Sequence, residues 1–207
     1  SIIYEADIID GIATFNIDAL AQGTYDLDYS IGGDKIFNPA TNSSTLYVVY
    51  VVTNETFYDF FDENGTLKDE IAAEELIFAG EFSDLVDTII IEKAISLVGN
   101  NATLNNIAMA IAGDNVTVNG FNFVSDNLTN ALAIIESDDV VVLNSKFNMS
   151  GVENADNAVI TVIGSNDACI FNNEITFVAS TNGTYENAAI SASDANGLVV
   201  SKNTIDA

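Results

Sequence analysis

Between residues 76 and 207, apolar and polar positions alternate in short runs separated by Gly, Ser, Asn and Asp, the mark of brief strands joined by polar turns. The runs recur. "NIAMAIAGDNVTVNGFNF" from Asn106 is written again as "NALAIIESDDVVVLNSKF" from Asn130, "NAVITVIGSNDACIFNNEI" from Asn157 and "NAAISASDANGLVVSKNTI" from Asn187, at offsets of 24, 27 and 30 residues. In each copy a strand precedes a turn, a second strand follows it, and a third begins near Phe123, Phe147, Ile175 or Ile205. The differences in length fall after the third strand.

A repeat of this size, made only of short strands, predicts a parallel β-solenoid in which each copy is one coil stacked on the next. Three inward columns are expected: Met109, Ala133, Ile160, Ile190; Val116, Val140, Ala168, Leu198; and Val118, Val142, Ile170, Val200. Asn106, Asn130, Asn157 and Asn187 form a fourth column, spaced by about 4.8 Å, close enough for an amide ladder. A more degenerate coil lies in "DTIIIEKAISLVGNNATL", where Ile95, Leu97 and Gly99 match Val116, Val118 and Gly120. With "ELIFAG" as its first strand, the solenoid is expected over 76–207. A leucine-rich repeat has a similar period but needs a leucine-dense consensus that this chain lacks.

Ahead of the solenoid, residues 54–75 read as a helical cap. Thr53 or Asn54 suits the helix N-terminus, Phe57, Phe60 and Phe61 share one face, and Asn64-Gly65 interrupts the run. Such a lid answers the exposed end of a coil. Residues 1–53 alternate as half-buried antiparallel strands do (Ala13, Phe15, Ile17, then Tyr25, Leu27, Tyr29), with "STLYVVYVV" as a closing strand. The spacing Leu20-x-x-Gly23-x-Tyr25 matches a tyrosine corner, which points to a partial immunoglobulin-like β-sandwich. The predicted class is therefore all-β.

Composition narrows the roles. The chain has 31 Asp and Glu against five basic residues, all Lys, for a formal net charge of −26. Such a polyanion repels phosphate backbones and anionic headgroups, which argues against nucleic-acid and membrane-surface partners. No apolar run is long enough for a membrane-spanning helix. The chain starts at Ser1 with neither Met nor a signal-peptide pattern, so it reads as a piece of something longer. Cys169 has no second cysteine to pair with and, aligned with Thr117, Val141 and Val199, reads as a structural thiol.

The "L-x-x-G-x-Y…GGD" segment, the "TFYDFFDENGTLKDEI" cap, "LIFAGEF", "IIIEKAISLVGNNATL" and the "NVTVNGFNF" coils together resemble the adhesin-like surface proteins of methanogenic archaea. That resemblance implies a right-handed parallel β-helix beside immunoglobulin-like repeats, on an extracellular, wall-associated protein that contacts other cells or surfaces. It defines no binding residues.

Eight N-x-Ser/Thr sequons (Asn42, Asn54, Asn64, Asn101, Asn115, Asn127, Asn148, Asn182) agree with an exported, glycan-bearing chain. Asn42, Asn64, Asn127 and Asn182 are the glycosylation candidates because they fall in expected loops. Asp114 and Asp138, continued by Asn166 and Asn196, stack oxygen ligands that would suit a structural calcium ion, although turn chemistry explains the same residues. No other cofactor is expected. Asp62-Glu63-Asn64-Gly65 has only part of a calcium loop. Catalysis is not expected: the chain has no His or Arg, Asp138 and Asp139 are sequence neighbours that would diverge on a strand, and no nucleophile or phosphate motif appears.

These features lead to a structural and adhesive surface module. It would present the loops at 125–129, 151–156 and 179–186 to surface glycans, neighbouring surface proteins or copies of itself. The alternative is a filament or surface-layer subunit joined by coil stacking or by strand addition through "SIIYEADII". A polysaccharide lyase or hydrolase on the same fold ranks third.

Overall fold

The computed structural model describes residues 3–17, 20–33, 38–150, 157–178 and 187–206. The chain divides into two compact units, Ser1–Val49 and Tyr50–Ala207.

In the first unit, β1 (Ile8–Ile9) and β2 (Ile12–Ala13) pair antiparallel around Asp10-Gly11, both with positive φ, the backbone that a tight hairpin demands. A longer hairpin joins β3 (Gly23–Ile31) to β4 (Ala40–Val48). The expected corner is present: the Tyr25 hydroxyl donates to the Ala21 carbonyl at 2.9 Å. Among the described residues the sandwich goes no further. The two sheets have two strands each, no described pairing joins them, and no described hydrophobic residue before Val52 is buried. Two strands alone cannot cover a face.

The second unit begins earlier than position 76. "STLYVVYVV" is divided: its front half closes the hairpin, whereas β5 (Tyr50–Val52) pairs in parallel with β6 (Glu75–Phe82) and so belongs to the solenoid sheet. Between them stands α1 (Phe57–Phe60), a single turn and shorter than the expected helix. Its N-cap is Thr56 and not Thr53 or Asn54; Thr53 lies three residues earlier, accepting from the Thr56 amide at 3.3 Å and donating its own amide to Thr56 Oγ1 at 2.9 Å. The run stops at Asp62, whose carboxylate accepts the Asn64 and Thr66 amides, while Gly65 turns with φ +82. Those bonds, with the Thr66 amide foremost, hold the Asp62 carboxyl below its usual range. Phe57 and Phe61 stack at 4.6 Å and are fully buried over the first coil, as a lid requires.

The coils follow as β7 (Thr88–Ile91), β8 (Ile95–Asn105), β9 (Ala108–Ile111), β10 (Val116–Asn119), β11 (Asn122–Ser125), β12 (Leu132–Ile135), β13 (Val141–Leu143), β14 (Lys146–Met149), β15 (Asn157–Ile163), β16 (Cys169–Phe171), β17 (Glu174–Phe177), β18 (Asn187–Ser193), β19 (Val199–Ser201) and β20 (Thr204–Asp206). Every pairing from β5 onward among these strands is parallel. Three faces result. The first stacks β7, β9, β12, β15 and β18; the second stacks β10, β13, β16 and β19 on the front half of β8; the third stacks β11, β14, β17 and β20 on its back half. β6 pairs along β8 up to a bulge, where Gly80 faces the two residues Asn101 and Ala102 of β8.

Strict alternation of buried and half-buried positions builds the core. The columns Ile95–Val116 and Leu97–Val118–Val142–Ile170–Val200 form as expected, and so does Phe123–Phe147–Ile175–Ile205, which Leu104 and Phe82 extend upstream. One column is corrected: Leu132, not Ala133, pairs with Met109 and Ile160. The turn after β12 spans 136–140, one residue longer than 112–115 after β9, so alignment from Asn130 slips by one and puts an outward residue inward.

The corners explain the Asn, Asp and Gly content. Asn115, Asp139, Asp167 and Gly197 carry positive φ at one corner, and Gly120, Asn144, Asn172 and Lys202 do so at the next. Asn and Asp tolerate this conformation best among residues with a side chain.

Candidate functional site

The three corners of the coil differ in length, and this decides what can reach each face. Between the second and third faces the connection is two residues in each of four coils: 120–121, 144–145, 172–173 and 202–203. Between the first and second it is 112–115, 136–140, 164–168 and 194–198. The connection from third face to first grows most, through 126–131, 150–156 and 178–186. The sequence-predicted functional loops all leave the solenoid there. Those at 151–156 and 179–186 lie outside the described residues.

The remaining loop, 125–129, is pinned. Ser125 Oγ donates to Asn106 Oδ1 at 2.7 Å and accepts the Asn127 and Leu128 amides at 3.1 and 2.9 Å. Asn106 also receives the Asp126 amide. Asn106 is thus a loop anchor and not the first step of a ladder, while Asn130 donates to the Ala158 carbonyl and to Thr161. The Asn106–Asn130 step of the expected ladder is therefore not formed, because the slip that moves Leu132 into the core also puts Asn130 out of step; Asn157 and Asn187 do pair in register.

Two other ladders take its place, on either border of the second face. On one, Asp114 Oδ1 accepts the Asp138 amide at 2.8 Å, Asp138 Oδ1 accepts the Asn166 backbone and side-chain N–H groups, both at 2.8 Å, and Asn196 donates to Asn166 at 3.1 Å. The predicted column is present, with its carboxylates acting as turn acceptors. Asp139 is not extended beside Asp138 but sits in the left-handed region. On the other border, Asn144 donates to Asn119 at 2.9 Å and Asn172 to Asn144 at 2.8 Å. Inside that corner, Asn173 accepts the Ser145 amide and pairs with Asn203.

Between these borders lies a flat floor. Its outward rows, set by the register, are Ser96, Thr117, Val141, Cys169, Val199 and Val98, Asn119, Leu143, Phe171, Ser201. None is charged. Acidic side chains gather instead at the border with the first face, at Glu92, Asp114, Glu136, Asp138, Asp167 and Asp194. A shallow groove at the upstream end of this floor is lined by Glu74, Ala94, Ile95, Ser96, Asn115 and Thr117.

The lysines are largely engaged. Lys93 donates to the carbonyls of Lys68, Asp69 and Ile71 at 2.7, 3.3 and 2.9 Å, which ties the cap segment to the coil. Lys68 donates to the Tyr58 carbonyl. Lys146 pairs with Glu174 on the solvent side, and Lys202 stands 5.0 Å from the Phe171 ring centroid. Among the described residues no group of three His, Cys, Asp or Glu side chains is arranged to hold a metal ion, and no helix is long and apolar enough to cross a membrane.

Of the glycosylation candidates, Asn64 and Asn127 are exposed in turns as expected. Asn42 is exposed but sits within β4 opposite Tyr29 and is not in a loop. Asn182 lies outside the described residues. Asn54, not singled out among the sequons, uses its side-chain carbonyl to accept the Ser83 amide at 3.0 Å. Sequence reasoning missed the uncharged floor and the Asn119–Asn144–Asn172 ladder. Their signal was readable in "VTVN", "VVL", "CIF" and "VVS", four corresponding strands without one charge in a chain this acidic.

Compared with protein-family models, with curated proteins and with solved structures, the chain has no match.

Proposed function

We propose that this chain is a structural and adhesive module of an extracellular surface: a β-solenoid that holds loops and flat faces out toward other cells, surface glycans or neighbouring surface proteins, without catalysing a reaction. The observation that carries this reading is the segregation of its corners. Most of the length variation leaves on one side, while the other two corners are turns of two to five residues, so the coils act as a rigid support for one bank of loops. Exposed sequons at Asn64 and Asn127 and the acidic composition fit a chain that stays dispersed outside the cell.

Beads coated with the chain test the reading. They should adhere to wall-polysaccharide surfaces or whole cells, and replacing 180–185 with a Gly-Ser stretch should reduce that adhesion. Coated beads that settle no better than bare ones would reject it.

A further inference from the structure

We infer that the outward surface of the second face is a binding track for a neutral, elongated oligosaccharide. The inference rests on the adhesive reading and names a ligand class and a site for it.

Access comes first. Both borders of this face are turns of two to five residues in every coil, so no long loop leaves beside it; the long loops emerge across the molecule, between third and first faces. The floor is apolar where the strands are best formed: Val141 and Leu143 lie in register with Cys169 and Phe171, and Val199, next in line, is 50% exposed.

Charge then selects the partner. From β8 to β19 the strands of the floor carry no charged side chain although the chain's net charge is −26; Glu75 on β6 continues the Ser96 row at the upstream end, Lys202 stands over Phe171 at the downstream end, and one border is an acidic ridge. A polyanionic ligand would be repelled by that ridge, and a basic protein would be drawn to the ridge and not to the floor. A neutral ligand meets neither bias. Its hydroxyls find partners on both sides, because an Asn amide has two donors and two lone pairs and each ladder step uses only part of them. Asp114 and Asp138 supply further acceptors on one border, Asn119, Asn144 and Asn172 further amides on the other.

Size decides between a saccharide and a protein. Five strands at about 4.8 Å and a width of three to four residues at about 3.3 Å give a floor of roughly 24 by 12 Å. That is well short of the about 800 Å² per partner that a stable protein interface buries. It matches a short sugar chain lying along the solenoid axis, with its C–H faces on Val141 and Leu143 and its far end at Phe171, over whose ring Lys202 stands. The groove beside Glu74, Ser96, Asn115 and Thr117 would receive one end.

The test uses cellohexaose, N-acetylchitohexaose and mannohexaose as probes, with an oligogalacturonate as the anionic comparison, read by calorimetric titration and ligand-observed NMR. At least one neutral hexasaccharide should bind in the micromolar to millimolar range and the oligogalacturonate should not. Phe171→Ala and Val141→Lys should each weaken binding about tenfold or more, while Ala133→Lys on the first face leaves it unchanged, all three melting near the parent. No binding by any neutral probe, equal binding of the anionic one, or equal weakening by Ala133→Lys would overturn the inference. Beads that adhere while no hexasaccharide binds would remove this site and leave the adhesive reading standing. Hexasaccharide binding without bead adhesion would do the reverse.

Discussion

The ring of Phe147 lies flat on that of Phe123, with 4.7 Å between centroids and 5° between planes, although 24 residues of chain separate them. Parallel register makes this possible, because the residues occupy the same position on β14 and β11. The stack extends through Phe121 and Phe78 to Phe61 and Phe57, so a single aromatic path runs from the cap into the third coil.

Phe147→Ala should therefore destabilise the chain by about 3–5 kcal/mol, the range for emptying a buried aromatic site. Ile205→Ala, half exposed in the same column, should cost far less. Urea unfolding followed by far-UV circular dichroism measures both, and equal losses would contradict a graded core.

Asn144 combines a left-handed backbone (φ 52) with two ladder bonds, and its variants separate these roles. Asn144→Gly removes the bonds but keeps the backbone at ease; Asn144→Ala removes both. The alanine variant should be the less stable by about 1–2 kcal/mol, the cost of a left-handed alanine. Equal midpoints in urea would show that the corner relaxes out of this conformation.

At Gly65 a Cβ would meet the Thr88 carbonyl oxygen at 2.1 Å, and φ is +82. Both obstacles are backbone, so no side-chain rotation relieves them. Gly65→Ala should detach the cap segment, seen as faster amide exchange at Leu67 and Ile90, which this turn bonds together. Unchanged protection at those two amides would refute the placement.

Asp62 accepts the Thr66 and Asn64 amides, and its folded pKa lies below the unfolded value. The sign follows from linkage: the carboxylate's contribution is present above the ordinary Asp range near 3.8 and fades as pH falls through the lower folded value. The melting-temperature gap between the parent and Asp62→Asn should thus be open at pH 6 to 7 and narrow below about pH 4. A gap constant with pH would mean that the turn does not depend on ionised Asp62.

Melting should be the same in chelator and in millimolar calcium if the Asp114–Asp138 column serves as turn acceptors, as its occupied oxygens indicate. A rise of several degrees with calcium would restore the ion-binding alternative.

Much of the solenoid was legible because its columns repeat a chemical choice: Val118 and Phe123 have large apolar counterparts in each following coil. Legibility failed where one residue of turn decides the register. Between Ile135 and Val141 the chain takes an extra step relative to Ile111 and Val116, and nothing in the apolar pattern marks it. The same slip hid the fates of Asn106 and Asn130. The boundary at Tyr50 was hidden for a different reason: "LYVVYVV" is one unbroken run of aliphatic and aromatic strand formers, yet Tyr47 pairs antiparallel and Tyr50 parallel, and strand propensity is blind to the direction of a partner. The candidate site was the least visible part, since it consists of outward residues whose common property is the absence of charge.

The unequal corners have one more consequence. A foreign peptide spliced into the connection between third and first faces should leave the stacking intact, whereas one added residue at Asn144-Ser145 would throw every later coil out of step. Novelty in this molecule is thus confined by compass bearing: one flank is free to diversify, and the opposite flank keeps the ruler.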